Sequence, residues 1–210
     1  MADLTTFYLV RHATSLWNEK GIIQGHKNPE LSEAGIKEAE ELARKFKGVR
    51  FDLAYSSDLL RAKRTAEIIA LEHKLEVQTA KILRERNFGK FEGKQDEELG
   101  RVNKILEKLT DEQRYSYKIY GIESDKEIVE RLTTFLREVA IANPGKTILV
   151  VTHGGLMRFF LIKLGLGDHF TLRPGAVKNG AFIKLQTDGI DFFVKETHGI
   201  TKTKGVTKDF

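Results

Sequence analysis

The chain has 210 residues, 40% hydrophobic and 31% charged, and its 35 Lys and Arg outnumber 30 Asp and Glu to leave a formal charge of +5. That length suits one large domain or two small ones and buries roughly 70% of the unfolded surface without a disulfide framework. The absence of Cys excludes thiolate nucleophiles, zinc ribbons and iron–sulfur clusters, and agrees with a reducing, cytoplasmic setting. The opening run Met-Ala-Asp-Leu-Thr-Thr has no basic region leading into an apolar stretch, and no segment approaches the ~20 apolar residues of a membrane span. Secretion and membrane residence are therefore not expected. Acidic residues are interspersed among the basic ones except in the basic tail at 199–210, where Lys202, Lys204 and Lys208 face only Asp209. A nucleic-acid binder concentrates its charge in one stripe, so the tail reads as a frayed, solvated terminus, and neither a nucleic-acid nor a membrane partner is expected.

In chain order, Phe7-Tyr8-Leu9-Val10 is a short apolar, β-prone run, and Leu53-Ala54-Tyr55 and Ile148-Leu149-Val150-Val151 are two more. Such runs, bounded by polar residues, fit strands buried on both faces of a parallel sheet. Helical patterns lie between them. Ser32 opens one whose apolar positions are Ile36, Ala39, Leu42, Ala43 and Phe46, and Leu59 to His73 holds another through Ala62, Ala66, Ile69 and Ala70. Ser124-Asp125-Lys126-Glu127 is a capping box that opens a helix through Val139, stopped by Asn143-Pro144-Gly145. Leu156 to Leu164 predicts a short apolar helix, and Ala181–Gln186 and Ile190–Lys195 predict a hairpin around Asp188-Gly189. This order predicts an α/β fold: a three-layer α/β/α sandwich with a central, mostly parallel sheet. No repeat or Pro-rich linker divides the chain, so residues 1–210 read as one domain. The charged stretch 94–121, with Tyr115, Tyr117 and Tyr120, is either a solvated helical hairpin or an insertion capping an active site.

Ligands of open α/β sheets sit beyond the carboxyl ends of the strands, where helix N-termini can also meet an anion. The first strand exits into Arg11-His12-Ala13-Thr14, the second into Ser56-Ser57-Asp58 with Arg61 just beyond, and the third into Thr152-His153-Gly154-Gly155. Two His and two Arg thus come to one rim. A lone His is most often structural or merely exposed, and His26, His73, His169 and His198 are discounted on that ground. A metal site is not expected, because no His-Glu-x-x-His pattern exists and an adjacent Arg repels a cation. Arg beside His suits an anion, since the guanidinium fork matches phosphate oxygens.

These residues resemble the histidine phosphatase superfamily, which includes the cofactor-dependent phosphoglycerate mutases. The family's opening motif, Arg-His-Gly followed by Thr or Ser and an Asn, is similar to Arg11-His12-Ala13-Thr14-Ser15-Leu16-Trp17-Asn18 here. Similarity continues in family order through Gln24-Gly25, Leu31 to Gly35, Ser56 to Ala62, Thr65-Ala66, Leu83-Arg84-Glu85 with Phe88-Gly89, Glu92-Gly93, and Thr152 to Gly155. The resemblance implies phosphoryl transfer to His12 as nucleophile, giving a phosphohistidine, with Glu85 supplying the proton for the leaving alkoxide. Arg11, Arg61 and His153 would surround the phosphoryl oxygens, and Asn18, Gln24, Gly25 and the Gly154 backbone would complete the pocket. Glu92 is a weaker pocket candidate. Trp17 and Phe88 are either substrate wall or plain core, with core the default. Neither a metal nor another cofactor is expected, because two guanidiniums already compensate the phosphoryl charge. One position departs: Ala13 stands where most members have Gly, and a loop that needed φ > 0 there would be strained by about 0.5–1 kcal/mol or more.

The expected activity is that of a metal-independent phosphomonoesterase acting on a small phosphorylated metabolite. The alternative is a cofactor-dependent phosphoglycerate mutase, which shares every catalytic residue but must shield its phosphoenzyme from water. The 68 positions from Glu85 to His153 are fewer than the resemblance associates with such mutases, which favours the phosphatase. A protein phosphohistidine phosphatase and a non-catalytic binding protein on the same fold rank below these. Substrate identity and oligomeric state are not encoded in any motif.

Overall fold

The central strands are apolar on both faces because helices cover both. The computed structural model describes residues 3–203. Among them, β1 (Thr5–Arg11), β2 (Leu53–Ser56), β3 (Val77–Thr79), β4 (Thr147–Thr152), β5 (Val177–Thr187) and β6 (Phe192–Ile200) form one sheet ordered β3-β2-β4-β1-β5-β6. The β3–β2, β2–β4 and β4–β1 pairs are parallel, whereas β5 and β6 add antiparallel at one side. Alternation along a strand sends Phe7 and Leu9 of β1, with Ile148 and Val150 of β4, into one core beside α6 (Asp125–Ala142) and α7 (Gly154–Lys163). Tyr8, Val10, Leu149 and Val151 point the other way, against α2 (Glu33–Lys45) and α3 (Leu60–Glu72). The result is the expected α/β fold with a helical layer on each face.

The helix limits follow their caps. Ser32 accepts from the Gly35 amide at the start of α2, and Ser124 and Glu127 form a complete capping box on α6. Three features depart from the sequence reading. β3 is only three residues long, too short to show a periodicity. The hairpin strands are longer than the apolar runs suggested, and Ile190 sits in the turn, where Asp188 Oδ1 accepts from the Ile190 and Asp191 amides at 2.8 and 2.9 Å. Residues 199 and 200 of the basic tail belong to β6, and the tail does not fray at once from Thr201, because the Thr201 and Thr203 amides donate to the Ala176 and Thr171 carbonyls. The remaining tail, with Lys204 and Lys208, lies outside the described residues.

Between β1 and α2 a short helix, α1 (Leu16–Glu19), is capped by Ser15. The stretch 94–121 carries α4 (Gly100–Leu106) and α5 (Asp111–Ser116). Val102 and Leu106 of α4 bury with Ile23, Phe91 and Ile122 in a small separate cluster. This stretch is thus packed onto the loops above the sheet rather than standing free in solvent. No helix among the described residues is long and apolar enough to cross a membrane.

Leu132 is fully buried at the centre of α6's apolar face. Leu132→Ala should lower stability by about 2–5 kcal/mol, the range for deleting a buried leucine, as read by urea unfolding.

Candidate active site

β4 lies between β1 and β2, so the three strand exits are neighbours in space although far apart in sequence. Arg11 pairs with Thr152 in register, which sets His12 and His153 side by side just past the sheet. Their rings meet edge to face with centroids 5.1 Å apart. Backbone bonds fix His12: its amide donates to the Thr152 carbonyl at 2.9 Å, and its carbonyl accepts from Asn179 Nδ2 at 3.1 Å. The His12 side chain is 2% exposed, and its Nδ1 lies 2.7 Å from the Ala13 carbonyl. Because a carbonyl only accepts, Nδ1 carries the proton and Nε2 is left with its lone pair. Burial, then Arg61 and Arg11, hold the His12 pKa well below the ordinary imidazole value. The ring is neutral at neutral pH.

His153 is fully buried, held neutral by burial and then by Arg61, and neither ring nitrogen has a hydrogen-bond partner among the described residues. Arg61 is also fully buried; its two terminal nitrogens donate to the Lys27 and Gly25 carbonyls at 2.8 Å each, while Nε has no partner. Burial lowers its pKa to about 10, so it stays charged at pH 7. Arg11 donates to the Val177 carbonyl at 2.6 Å and likewise keeps an unpartnered Nε. A Cβ on Gly154 would lie 2.9 Å from that Nε, so glycine lets the guanidinium lie against the start of α7. Buried donors without acceptors are costly unless a ligand satisfies them, and three converge here: Arg11 Nε, Arg61 Nε and the one N–H of neutral His153.

Glu85 closes the site on the side of α7. Its carboxylate accepts from the Arg86 amide at 2.8 Å and the Gly155 amide at 3.0 Å, and a side chain on Gly155 would collide with it. Its own carbonyl is clamped by His26 Nε2 at 2.9 Å and Arg131 at 3.1 Å, with Arg131 also pairing with Glu123 at 2.7 Å. Thr152 Oγ1 donates to the Leu83 carbonyl at 2.8 Å, and Arg84 makes a two-bond fork with Asp58 at 2.7 and 2.6 Å. The loop bearing Glu85 is therefore tied to β4, α6 and the β2 exit at once.

Arg11, His12, Arg61 and Glu85 line a cavity of about 350 Å³ that also takes in Asn18, Gln24, Gly25 and Gly154. His153 is not on the cavity wall but packs against the His12 ring. The detailed placements of the others differ. Asn18 Oδ1 accepts from the Ser15 amide at 3.1 Å and Gln24 Oε1 from the Ser15 hydroxyl at 2.9 Å, so both also shape the loop. Gly25 has φ +49° and contributes its carbonyl to Arg61. Ala13 is not in a positive-φ conformation; its amide donates to Thr65 Oγ1 at 3.1 Å, so Ala is no strain there. Trp17 and Phe88 take the wall position rather than the default core one: both are half-buried and line the cavity, Phe88 also packing against the Ile23 and Phe91 cluster. Glu92 does not line the cavity; its Oε1 holds the His26 and Phe88 amides at 3.0 and 3.1 Å. His26, discounted from sequence, serves the Glu85 loop. Sequence reasoning missed Arg86, Arg114 and Arg158, which also line the cavity. Arg158 had a signal: it is the one charged residue inside the apolar run Leu156–Ile162. Among the described residues no group of three or more His, Asp or Glu could hold a metal.

Comparison with known proteins follows the same geometry. The model of the histidine phosphatase superfamily (branch 1) matches residues 7–198. The chain is 38% identical to phosphoglycerate mutase-like protein 4 of Arabidopsis thaliana, covering 74% of this chain and 69% of that one. It is 36% identical to a 2,3-bisphosphoglycerate-dependent phosphoglycerate mutase of Methylocella silvestris, over 74% and 79%. A phosphoserine phosphatase variant from Entamoeba histolytica, solved in complex with phosphoserine, superposes with a TM-score of 0.76 at 30% identity, covering 92% and 96%.

Both site histidines are neutral in the fold and take up protons near pH 6.5 when unfolded. Their contribution to stability is therefore complete above about pH 6.5 and is lost progressively as pH falls below it. In an NMR titration of the free protein from pH 8 to 5, the His12 and His153 ring signals should not shift. A midpoint near 6.5 for either would contradict the buried, neutral assignment.

Proposed function

Because the chain belongs to the histidine phosphatase superfamily, we propose that it is a phosphomonoesterase that hydrolyses a small phosphorylated metabolite through a phosphohistidine on His12, with Glu85 as general acid. The observation that carries this reading is the His12 tautomer: Nδ1–H bonded to the Ala13 carbonyl leaves Nε2 as a free nucleophile among the unpartnered donors of Arg11, Arg61 and His153. In the first step Nε2 attacks phosphorus, the N–P bond forms and the P–O bond to the alcohol breaks. The leaving oxygen takes the Glu85 proton. In the second step Glu85, now a carboxylate, accepts a proton from water as the water attacks phosphorus, the N–P bond breaks, and phosphate leaves. Arg11, Arg61 and His153 bind the three equatorial oxygens, where charge is spread in the transition state. Asn18, Gln24, Gly25 and Gly154 frame the pocket. Two guanidiniums supply the charge compensation that a divalent metal supplies elsewhere, so the reaction needs none. The stretch 94–121 acts as a cap, since Leu99, Asn103 and Leu106 line the cavity.

A second reading, phosphoglycerate mutase, is favoured by the 36% identity to a protein bearing that name. We rank it second on the short Glu85-to-His153 span. The deciding experiment is a screen of phosphorylated metabolites for phosphate release, run beside an assay that interconverts 2- and 3-phosphoglycerate. Efficient interconversion with little free phosphate would reverse the ranking.

Rapid quench with labelled substrate should trap an acid-labile, base-stable adduct in the native protein and none in His12→Ala. Normal turnover by His12→Ala would end this reading. Glu85→Gln should slow phosphorylation by alkyl phosphates on the order of 10²–10⁴-fold, the usual worth of a positioned acid. It should slow p-nitrophenyl phosphate much less, because that leaving group needs no proton. Equal losses in single-turnover phosphorylation would mean that Glu85 only shapes the pocket.

A further inference from the structure

Thr14, two residues beyond His12, is gripped by a carboxylate from the helical layer. Glu38 of α2 accepts from the Thr14 amide at 2.9 Å with one carboxylate oxygen and from the Thr14 hydroxyl at 2.8 Å with the other. The start of α2 fixes that reach. Gly35 lies so close to the Thr14 carbonyl that a Cβ there would collide with its oxygen, and the same carbonyl accepts from the Ser32 amide at 3.0 Å. Glu38 follows Gly35 by three positions, so it projects from the same side of the helix. The preceding amide, that of Ala13, goes to Thr65 of α3 at 3.1 Å. Three successive backbone groups of the loop are thereby tied to two helices.

A trans peptide carries its C=O and N–H on opposite sides of one rigid plane. The amide that Glu38 receives and the carbonyl that faces His12 belong to one such unit, Ala13–Thr14. Drawing the Thr14 N–H to Glu38 therefore aims the Ala13 carbonyl at the imidazole, where it lies 2.7 Å from Nδ1. The carboxylate also polarises the peptide between them, and hydrogen bonds in such a chain strengthen one another. Carboxylate, peptide and imidazole in line do what a carboxylate bonded directly to a histidine does elsewhere: they fix the tautomer. Arg61 and Arg11, the charged groups that act on His12 directly, both oppose a positive ring, and Glu85 and Glu38 are the carboxylates that act on Arg11.

We propose that Glu38 is a positioning residue for His12, acting through the Ala13–Thr14 peptide to keep the proton on Nδ1. This rests on the phosphohistidine reading above and adds how the ring is held ready for it. As Nε2 gives its electron pair to phosphorus, the ring keeps Nδ1–H and becomes a cation, which the polarised carbonyl stabilises. When the N–P bond breaks, the pair returns to Nε2 and the ring leaves neutral, still protonated at Nδ1. No proton moves to or from Glu38 in either step.

The test uses Glu38→Ala and Glu38→Gln in the full chain. Alanine removes the acceptor, whereas glutamine keeps an acceptor for the Thr14 amide and loses the charge. In single-turnover phosphorylation Glu38→Ala should be slower by about 10–100-fold, the loss expected of a charge-assisted hydrogen bond, and Glu38→Gln should fall between it and the native protein. Ring-nitrogen NMR should show His12 as one tautomer, protonated at Nδ1, in the native protein and as a mixture in Glu38→Ala. In Glu38→Gln the Nδ1–H proton resonance should move upfield as its hydrogen bond weakens. Calorimetric affinity for inorganic phosphate should not weaken in either variant, since losing this carboxylate leaves Arg11 less neutralised. Native phosphorylation by Glu38→Ala would overturn the proposal. So would a Glu38→Gln protein with native rate and native ring signals, which decides alone if Glu38→Ala does not fold. Phosphate affinity lost as fully as rate would mean that Glu38 merely shapes the loop, and overturns it too. If no phosphate ester is turned over, the phosphatase reading fails separately, and the ring signals, which need no turnover, still decide whether Glu38 fixes His12.

Discussion

Arg61 is buried completely, and two backbone carbonyls rather than a carboxylate hold it. Removing a cation from water is unfavourable by several kcal/mol even after relaxation, so the surrounding chain must present dipoles to it. The loop carrying Gly25 and Lys27 supplies them: Gly25 takes φ +49°, which an L side chain rarely adopts, and Glu92 holds the His26 amide of this loop and the Phe88 amide of the loop after Glu85. Thr65, one turn further along α3, accepts from the Ala13 amide and donates to the Arg61 carbonyl. The guanidinium thereby fixes the loop after β1 as well as the helix it belongs to. Its charge, not cancelled by a paired carboxylate, adds to burial, the larger cause, in holding both histidines neutral.

Glu85 is set in the opposite way, by many contacts from separate elements. Thr152 reaches the loop from β4, Arg131 from α6, and Asp58 from the β2 exit. A carboxylate on a loop needs this bracing to sit repeatably beside the start of α7. The Gly154-Gly155 pair makes the close approach possible on both sides, one glycine against Arg11 and the other against Glu85.

The layers and the site rim were legible because their signals are local. Apolar runs at β1, β2 and β4 ended in Arg11-His12, Ser56 to Arg61, and His153-Gly154, and the physics of strand exits does the rest. What could not be read depends on tertiary geometry. The position of β4 between β1 and β2 is a pairing choice without a local mark, and β3 is too short for one. Trp17 and Phe88 have the composition of core residues and become walls only because loops from distant parts of the chain enclose a cavity. Arg131 and His26 act through hydrogen bonds to the Glu85 carbonyl, to which no residue spacing points. Arg86 and Arg158 stand next to residues already singled out, yet the cavity they share links segments more than 70 positions apart.

The order of strands also sets when this protein can begin to act. His12 is among the first residues synthesised, but its amide bonds to Thr152 and its neighbour Arg11 to Val177, 166 positions later in the chain. At ~5–20 residues per second, roughly 10–30 s pass on the ribosome between the two. Throughout that interval His12 is made but has neither its neighbouring histidine nor its shelter from water. The site thus stays unassembled until the last third of the chain emerges, and the slow closure of such distant contacts makes its completion a late event of folding.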